Sequence, residues 1–186
     1  MTRFLEHLKL RSMGSLPDRR LGWIGLEEEV VTFNLWNLSG GLVGYQEYKW
    51  SKPKTRGNHP RDQKYFTYLP KETIGVYGLH LVPEGYLGVL YLVEGIWEAI
   101  AGWSEGYPCI AVLGCNPKSY KNWLNCLPNK IVPLCQPDEA GKKLASFGNA
   151  IYLGGDLDDC LIKYGRCGLP EELAGEYDYS RCISAY

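Results

Sequence analysis

The sequence predicts an α/β fold: a mainly parallel sheet flanked by helices, preceded by a small mixed or antiparallel β-rich lobe. Three observations carry that expectation. Beyond residue 88, short apolar runs alternate with segments of helical spacing, as strands joined by crossover helices do. Those runs are apolar at every position rather than at every second one, which marks strands buried on both faces. Ahead of residue 88, β-prone segments and turn signals dominate.

Taken in order, residues 3–11 have the spacing of a short helix, and the rest of the first 29 show no clear pattern. "VVTFNLW" (30–36) and "LVGYQEYKW" (42–50) flank Ser39-Gly40-Gly41 and read as a hairpin. "SKPKTRGNHPRDQ" (51–63) is a polar loop; "KYFTYLP" (64–70) and "GVYGLHLV" (75–82) are two further strand candidates. "VLYLV" (89–93) is the first buried strand. A helix follows over 95–106, with Ile96, Ala99, Ile100 and Trp103 on one face. "CIAVLG" (109–114) is the second strand. Asn116 and Pro117 suit the cap and first turn of the next helix, which carries Tyr120, Trp123, Leu124 and Leu127. "KIVPL" (130–134) is the third strand, and a third helix over 138–147 turns Ala140, Leu144 and Phe147 inward before Gly148. "AIYLGG" (150–155) is the fourth strand. Asp156 caps a helix over 156–164 that Gly165 ends. The chain is thereby read as a lobe over 1–87, an α/β domain over 88–165 and a tail over 166–186 without a motif.

Composition narrows the function. The 186 residues are 45% hydrophobic and 22% charged, with a formal net charge of −1, so any polyanionic partner must be met by a local patch. None of the seven cysteines, from Cys109 to Cys182, forms a Cys-x-x-Cys pair, and His7, His59 and His80 lie far from them in sequence. Buried reduced thiols are expected rather than a structural zinc site. No secretory leader and no apolar run of about 20 residues is read, so the cytoplasm is the expected compartment and no membrane partner is expected. The fourteen tyrosines read as core and rim residues.

In a parallel sheet the binding crevice lies beyond the carboxyl ends of the strands. Glu94 follows the first strand, Gln136 and Asp138 follow the third, and Asp156, Asp158 and Asp159 follow the fourth. Acids at three strand exits should gather on one edge. Clustered carboxylates repel one another without a cation, and magnesium takes one or two carboxylates with waters and phosphate oxygens completing its shell. Each aspartate also suits a helix N-terminus, so spacing leaves capping and metal binding both open.

Three segments carry a resemblance. "LYLVEGIWEAIAGWSEGYPCIAVLG" resembles the first half of the Toprim domain shared by topoisomerases, bacterial primases and some nucleases. "IVPLCQPDEAGKKLA" is similar to its Asp-x-Asp motif followed by x-Ala-Gly, and "GDLDDCLIKYG" to the Asp-x-Asp-Asp segment of primases. Upstream, "LSGGLVGYQEY" and "QKYFTYLPKETIGVYGLHLV" are similar to the small lobe that precedes Toprim in bacterial and phage primases. The departure is Gln136, which stands where the family has the first Asp.

The resemblance implies metal-dependent nucleotidyl transfer on single-stranded DNA from nucleoside triphosphates: primer synthesis in DNA replication, with Mg²⁺ or Mn²⁺. It implies Glu94 as ligand or general base and Asp138, Asp156 and Asp158 as metal ligands. A Gln136 carbonyl brings no charge, so weaker or single-metal chemistry is expected. The stripped form suggests a phage origin. Neither a zinc-binding module nor a helicase-type Gly-x-x-x-x-Gly-Lys-Ser/Thr loop is read, and a helicase or zinc-module protein is an expected partner in trans. Two alternatives stand beside this reading: a Toprim nuclease using the same acids, and a catalytically weak module that binds nucleic acid or a replication or defence protein.

One further patch fits the polymerising reading. Lys49, Lys52, Lys54, Arg56, Arg61 and Lys64 face a single acid, Asp62, between residues 49 and 64, a local charge of +5. Tyr48, Trp50 and Tyr65 flank it as a stacking platform for a single strand would. A solvated hairpin loop has the same composition; the resemblance shifts the expectation to binding, with Lys64 as the first choice for a triphosphate or template contact.

Overall fold

The computed structural model describes residues 3–13, 22–54, 59–113 and 118–164. Arg56, Asn116, Pro117, Gly165 and the 166–186 tail lie outside the described residues, as do Cys115, Cys167 and Cys182. The chain divides into two compact units, Met1–His80 and Leu81–Tyr186.

The first unit holds helix α1 (Arg3–Leu10) and strands β1 (Gly22–Gly25), β2 (Val30–Trp36), β3 (Leu42–Lys49) and β4 (Tyr65–Tyr68). The strands form one antiparallel sheet in the order β1-β2-β3-β4. The hairpin between β2 and β3 closes on Asn37, whose Oδ1 accepts from the Gly41 N–H and the Ser39 hydroxyl at 2.8 Å each. Gly40 supplies the positive φ of +74° that this turn requires. In α1, Phe4 and Leu8 lie one turn apart and are fully buried, which is the (i, i+4) face of a docked helix. Phe4 and His7 stack on Trp50, and the His7 Nε2 and Tyr48 hydroxyl are 2.8 Å apart.

Two expectations for this unit change. The strand read over 75–82 is reduced to isolated bridge positions at Val76 and Tyr77, Val76 pairing with Trp36, followed by a 3₁₀ turn at Leu79–Leu81. Gly78, at φ +93°, turns the chain out of the extended conformation that a ladder needs. Strand β1 had no clear sequence signal, because two of its four residues are glycines, which strands disfavour. Gly22 is required there: a Cβ on it would fall 1.7 Å from the Thr32 carbonyl oxygen.

The second unit alternates as expected: β5 (Val89–Val93), α2 (Ile96–Ser104), β6 (Cys109–Ala111), α3 (Lys118–Leu124), β7 (Lys130–Cys135), α4 (Glu139–Leu144), β8 (Ile151–Tyr152) and α5 (Leu157–Tyr164). All four strands are parallel, in the order β6-β5-β7-β8. The apolar runs explain the burial: Leu90 to Val93 are buried on β5, and Val132 to Cys135 on β7. Helix α2 turns Ile96, Ala99 and Trp103 inward and packs against β6 and α5. The Trp103 Nε1–H donates to the Cys109 carbonyl at 2.7 Å, which satisfies the one polar atom of a buried indole. Among the described residues no helix is long and apolar enough to cross a membrane.

Candidate active site

The strand order fixes where a site should lie. From β5 the chain crosses to β6 on one side, then to β7 and β8 on the other, so the crossovers diverge between β5 and β7. The carboxyl ends of these two strands frame the crevice of an open parallel sheet. Glu94 follows directly on β5, and Gln136 and Asp138 follow β7. Asp156 and Asp158 follow β8, one strand further along.

Glu94 is held through its backbone, its carbonyl accepting from Leu113 N–H at 2.9 Å. Its side chain reaches solvent. Burial, then the negative fields of Asp138 and Asp156, hold its carboxyl above the usual range. Four residues on, in the first turn of α2, Glu98 accepts the Gly95 N–H on its Oε2 at 2.9 Å, as a third-position Glu does at a helix start. Burial pushes Glu98 up to about 7, against that hydrogen bond and helped by Asp156, Asp158 and Glu94. Acids from the other strand exits thus bear on both glutamates.

Asp138 caps α4, its Oδ1 accepting the Gly141 N–H at 2.7 Å. Gly141 lets the Gln136 backbone pass: a Cβ there would meet the Gln136 carbonyl oxygen at 2.0 Å. Asp156 stands just before α5, and its carbonyl accepts the Cys160 N–H at 2.9 Å. Asp158 is 7% exposed in the first turn, whereas Asp159 is exposed. Beneath the acids, burial and then the fields of Glu98 and Asp138 push the buried Cys135 thiol up to about 11. Cys109, Cys126, Cys135 and Cys160 are all free thiols.

At Asp138 the cap uses Oδ1 alone; Oδ2 is not the atom that caps. Sequence reasoning missed Glu98. Its signal was the Glu-Gly-x-x-Glu spacing, which sets a second carboxylate on the first helical turn behind Glu94. Among the described residues, no three His, Cys, Asp or Glu side chains stand close enough to enclose a metal ion. The donor set instead suits an ion that takes one or two carboxylates and completes its shell with water and phosphate oxygens. Mutual repulsion, visible in Glu94 and Glu98, is what such an ion would relieve.

In the first unit the basic segment is described except for residues 55–58. Lys49 is engaged: its Nζ pairs with Glu47 at 2.9 Å and donates to the Arg61 carbonyl at 2.5 Å. Lys52, Lys54 and Arg61 are exposed, and Lys64 is half-buried with its Nζ over the Tyr48 ring at 5.7 Å. The expected platform of Tyr48, Trp50 and Tyr65 is corrected. Tyr48 is 1% exposed and Trp50 packs on α1, because both rings are spent on docking that helix; Tyr65 stays at the surface.

The fold resembles that of the catalytic core of DNA primases. Among solved structures it is similar to the RNA polymerase domain of Mycobacterium tuberculosis primase DnaG, with TM-score 0.54 and 17% identity over 94% of this chain and 63% of that one. It is also similar to a DnaG primase catalytic domain bound to single-stranded DNA, with TM-score 0.52 and 17% identity over 88% of this chain and 59% of that one. The primase fragment of the bacteriophage T7 primase-helicase protein matches with TM-score 0.53 and 16% identity over 72% of this chain and 58% of that one. The chain spans less than two thirds of the length of each, and the likeness is one of fold. No protein-family model matches the sequence, and no curated protein matches it.

Proposed function

We propose that the protein is a primase-like enzyme that joins nucleotides on single-stranded DNA with Mg²⁺ or Mn²⁺, making primers for DNA replication. The observation that carries this reading is the placement of Glu94, Asp138 and Asp156 after β5, β7 and β8, at the carboxyl edge of one parallel sheet whose crossovers diverge between β5 and β7. Glu94 and Asp138 would hold the ion, with Asp156 and Asp158 behind them. When bound, the ion supplies charge neutralisation at phosphoryl oxygens. Glu94, its proton affinity already raised, is also suited to accept the proton of an attacking hydroxyl. Lys64, Lys52, Lys54, Arg56 and Arg61 would take triphosphate or template phosphates; Lys49 would act by positioning Arg61. Residues 1–87 are assigned to template and 88–165 to chemistry, with a helicase or zinc-module protein as the partner in trans, in the cytoplasm.

Gln136 favours a second reading. It leaves the pair around Asp138 one negative charge short, and two-metal chemistry needs both ions about 3.5–4 Å apart. A catalytically weak module that binds nucleic acid follows from the same position. A nuclease would use the same acids.

The test incubates the protein with single-stranded DNA, the four ribonucleotides and Mg²⁺ or Mn²⁺, beside a nicking assay on supercoiled plasmid. Products longer than a dinucleotide, lost in Glu94→Gln, are expected. Nicking alone selects the nuclease, and silence in both with retained binding selects the module. Gln136→Asp should raise product yield; no change would mean that one ion suffices.

A further inference from the structure

The sheet of the first unit has two unlike faces. Side chains alternate along each strand, and the registers align the rows. Phe33, Gln46 and Thr67 share the face of Tyr48, to which α1 docks through His7. The opposite face carries the row Trp23, Thr32, Glu47, Phe66 and the row Asn34, Tyr45, Tyr68. On it Thr32 and Asn34 of β2 are buried, whereas Trp23 is 57% and Tyr68 49% exposed, so the open part lies along β3 and β4. Tyr68 stacks on its cross-strand partner Tyr45, with centroids 5.5 Å apart and planes at 26°, and Tyr45 lies 6.3 Å from Phe66.

The strip runs into positive charge. The Arg61 guanidinium stands 5.4 Å and the Lys49 Nζ 5.8 Å from the Phe66 centroid. The one acid on these rows, Glu47, is paired with Lys49 at 2.9 Å. Lys52 and Lys54 extend the charge along the loop between β3 and β4.

We infer that this face, and not the Tyr48 side of the sheet, is a stacking surface for unpaired bases of single-stranded DNA, with Tyr68 on Tyr45 as its outer ring and Arg61 as its phosphate contact. A four-stranded antiparallel sheet with aromatic rings on one face suits a single strand. Each base offers a π-face that an aromatic accepts without sequence preference, while neighbouring cations follow the backbone. Tyr68 is half-exposed and already stacked on Tyr45, so the ring is held in place before a base arrives. The inference rests on the proposed action on single strands and locates where the strand lies.

The experiment measures fluorescence anisotropy of a labelled oligothymidylate of about 12 nucleotides, without divalent metal, against the full chain. Tyr68→Ala should weaken binding about tenfold, while Tyr68→Phe keeps it. On an abasic oligomer of equal length, wild type and Tyr68→Ala should bind alike. Arg61→Gln should lower the salt dependence on both. Should the alanine variant fail to fold, Tyr68→Leu, which keeps bulk without a π-face, carries the same expectation. Equal affinity of wild type and Tyr68→Ala for oligothymidylate overturns the inference, as does an equal loss on the abasic oligomer. Priming that survives beside unchanged Tyr68→Ala binding sinks this surface alone. Base-dependent binding by a chain that makes no product sinks the polymerase reading alone.

Discussion

Gly141 lies so close to Gln136 that a Cβ on it would sit 2.0 Å from the Gln136 carbonyl oxygen and 2.9 Å from its nitrogen. The turn after β7 is therefore wound against the first turn of α4, and the Gly141 N–H is left pointing at the Asp138 carboxylate. Gly141→Ala must move backbone, not a flexible side-chain tip. It should cost about 1–3 kcal/mol as an overpacked site, read as a lower urea midpoint at unchanged slope. A stability equal to wild type would mean that the turn relaxes freely and does not fix Asp138.

Asp138 has two separable duties. Asn at a helix N-cap is about as good as Asp but brings no charge. Asp138→Asn should keep the wild-type unfolding midpoint, and Asp138→Ala should lose about 1 kcal/mol. Both should lose divalent-dependent product formation to the same extent. If Asp138→Asn remains active, the carboxylate serves the helix alone.

Lys49 and Lys52 are alike in sequence and unlike in structure. The Lys49 amine holds Glu47 and the Arg61 carbonyl together across the ends of β3 and the loop, and Lys52 is exposed. Lys49→Met should lower stability by about 1 kcal/mol, whereas Lys52→Met should stay within about 0.5 kcal/mol and reduce only the salt dependence of oligonucleotide binding. Thermal melts of the two variants and binding across a salt series check this. Equal melts would remove the positioning role from Lys49.

Much of the second unit was legible because its strands are apolar almost throughout, Lys130 at the start of β7 excepted, and its helices are bounded by Gly and Asp. The positions of Glu94, Asp138, Asp156 and Asp158 after the strands were legible for the same reason: a strand exit is visible wherever an apolar run stops. Pro133, which has no N–H to give, stands opposite Leu92 at the end of the β5–β7 ladder. Burial could not be read at Glu98, whose proton affinity depends on acids about 60 residues away in the chain. The aromatic platform was misplaced because composition does not tell the faces of a strand apart. Tyr45 and Tyr48 differ in parity, and only the docking of α1 decides which is covered.

Glu98 gives stability a pH dependence whose sign is set by its shift. Its carboxyl titrates near 7 in the folded chain against 4.5 ordinarily. Between these values the folded state binds more protons than the unfolded state, so stability falls as pH rises from about 4.5 to about 7 and is level beyond. His7 acts oppositely. Burial, then Arg11 and Lys64, lowers it from 6.5 to about 4, so over that range the unfolded state binds more protons and stability rises with pH. The two slopes oppose each other in the wild type, and a single substitution separates them. Glu98→Gln keeps an oxygen for the Gly95 N–H and removes the charge. Without metal, wild-type stability should fall relative to this variant by up to about 1.4 kcal/mol per pH unit across that window. Urea unfolding of both proteins at intervals from about pH 5 to 8 measures it, and Mg²⁺ should narrow the gap at the upper end by compensating the acids. Parallel curves would mean that Glu98 is solvated like an ordinary surface carboxylate, and that the acids at the strand exits do not share one field.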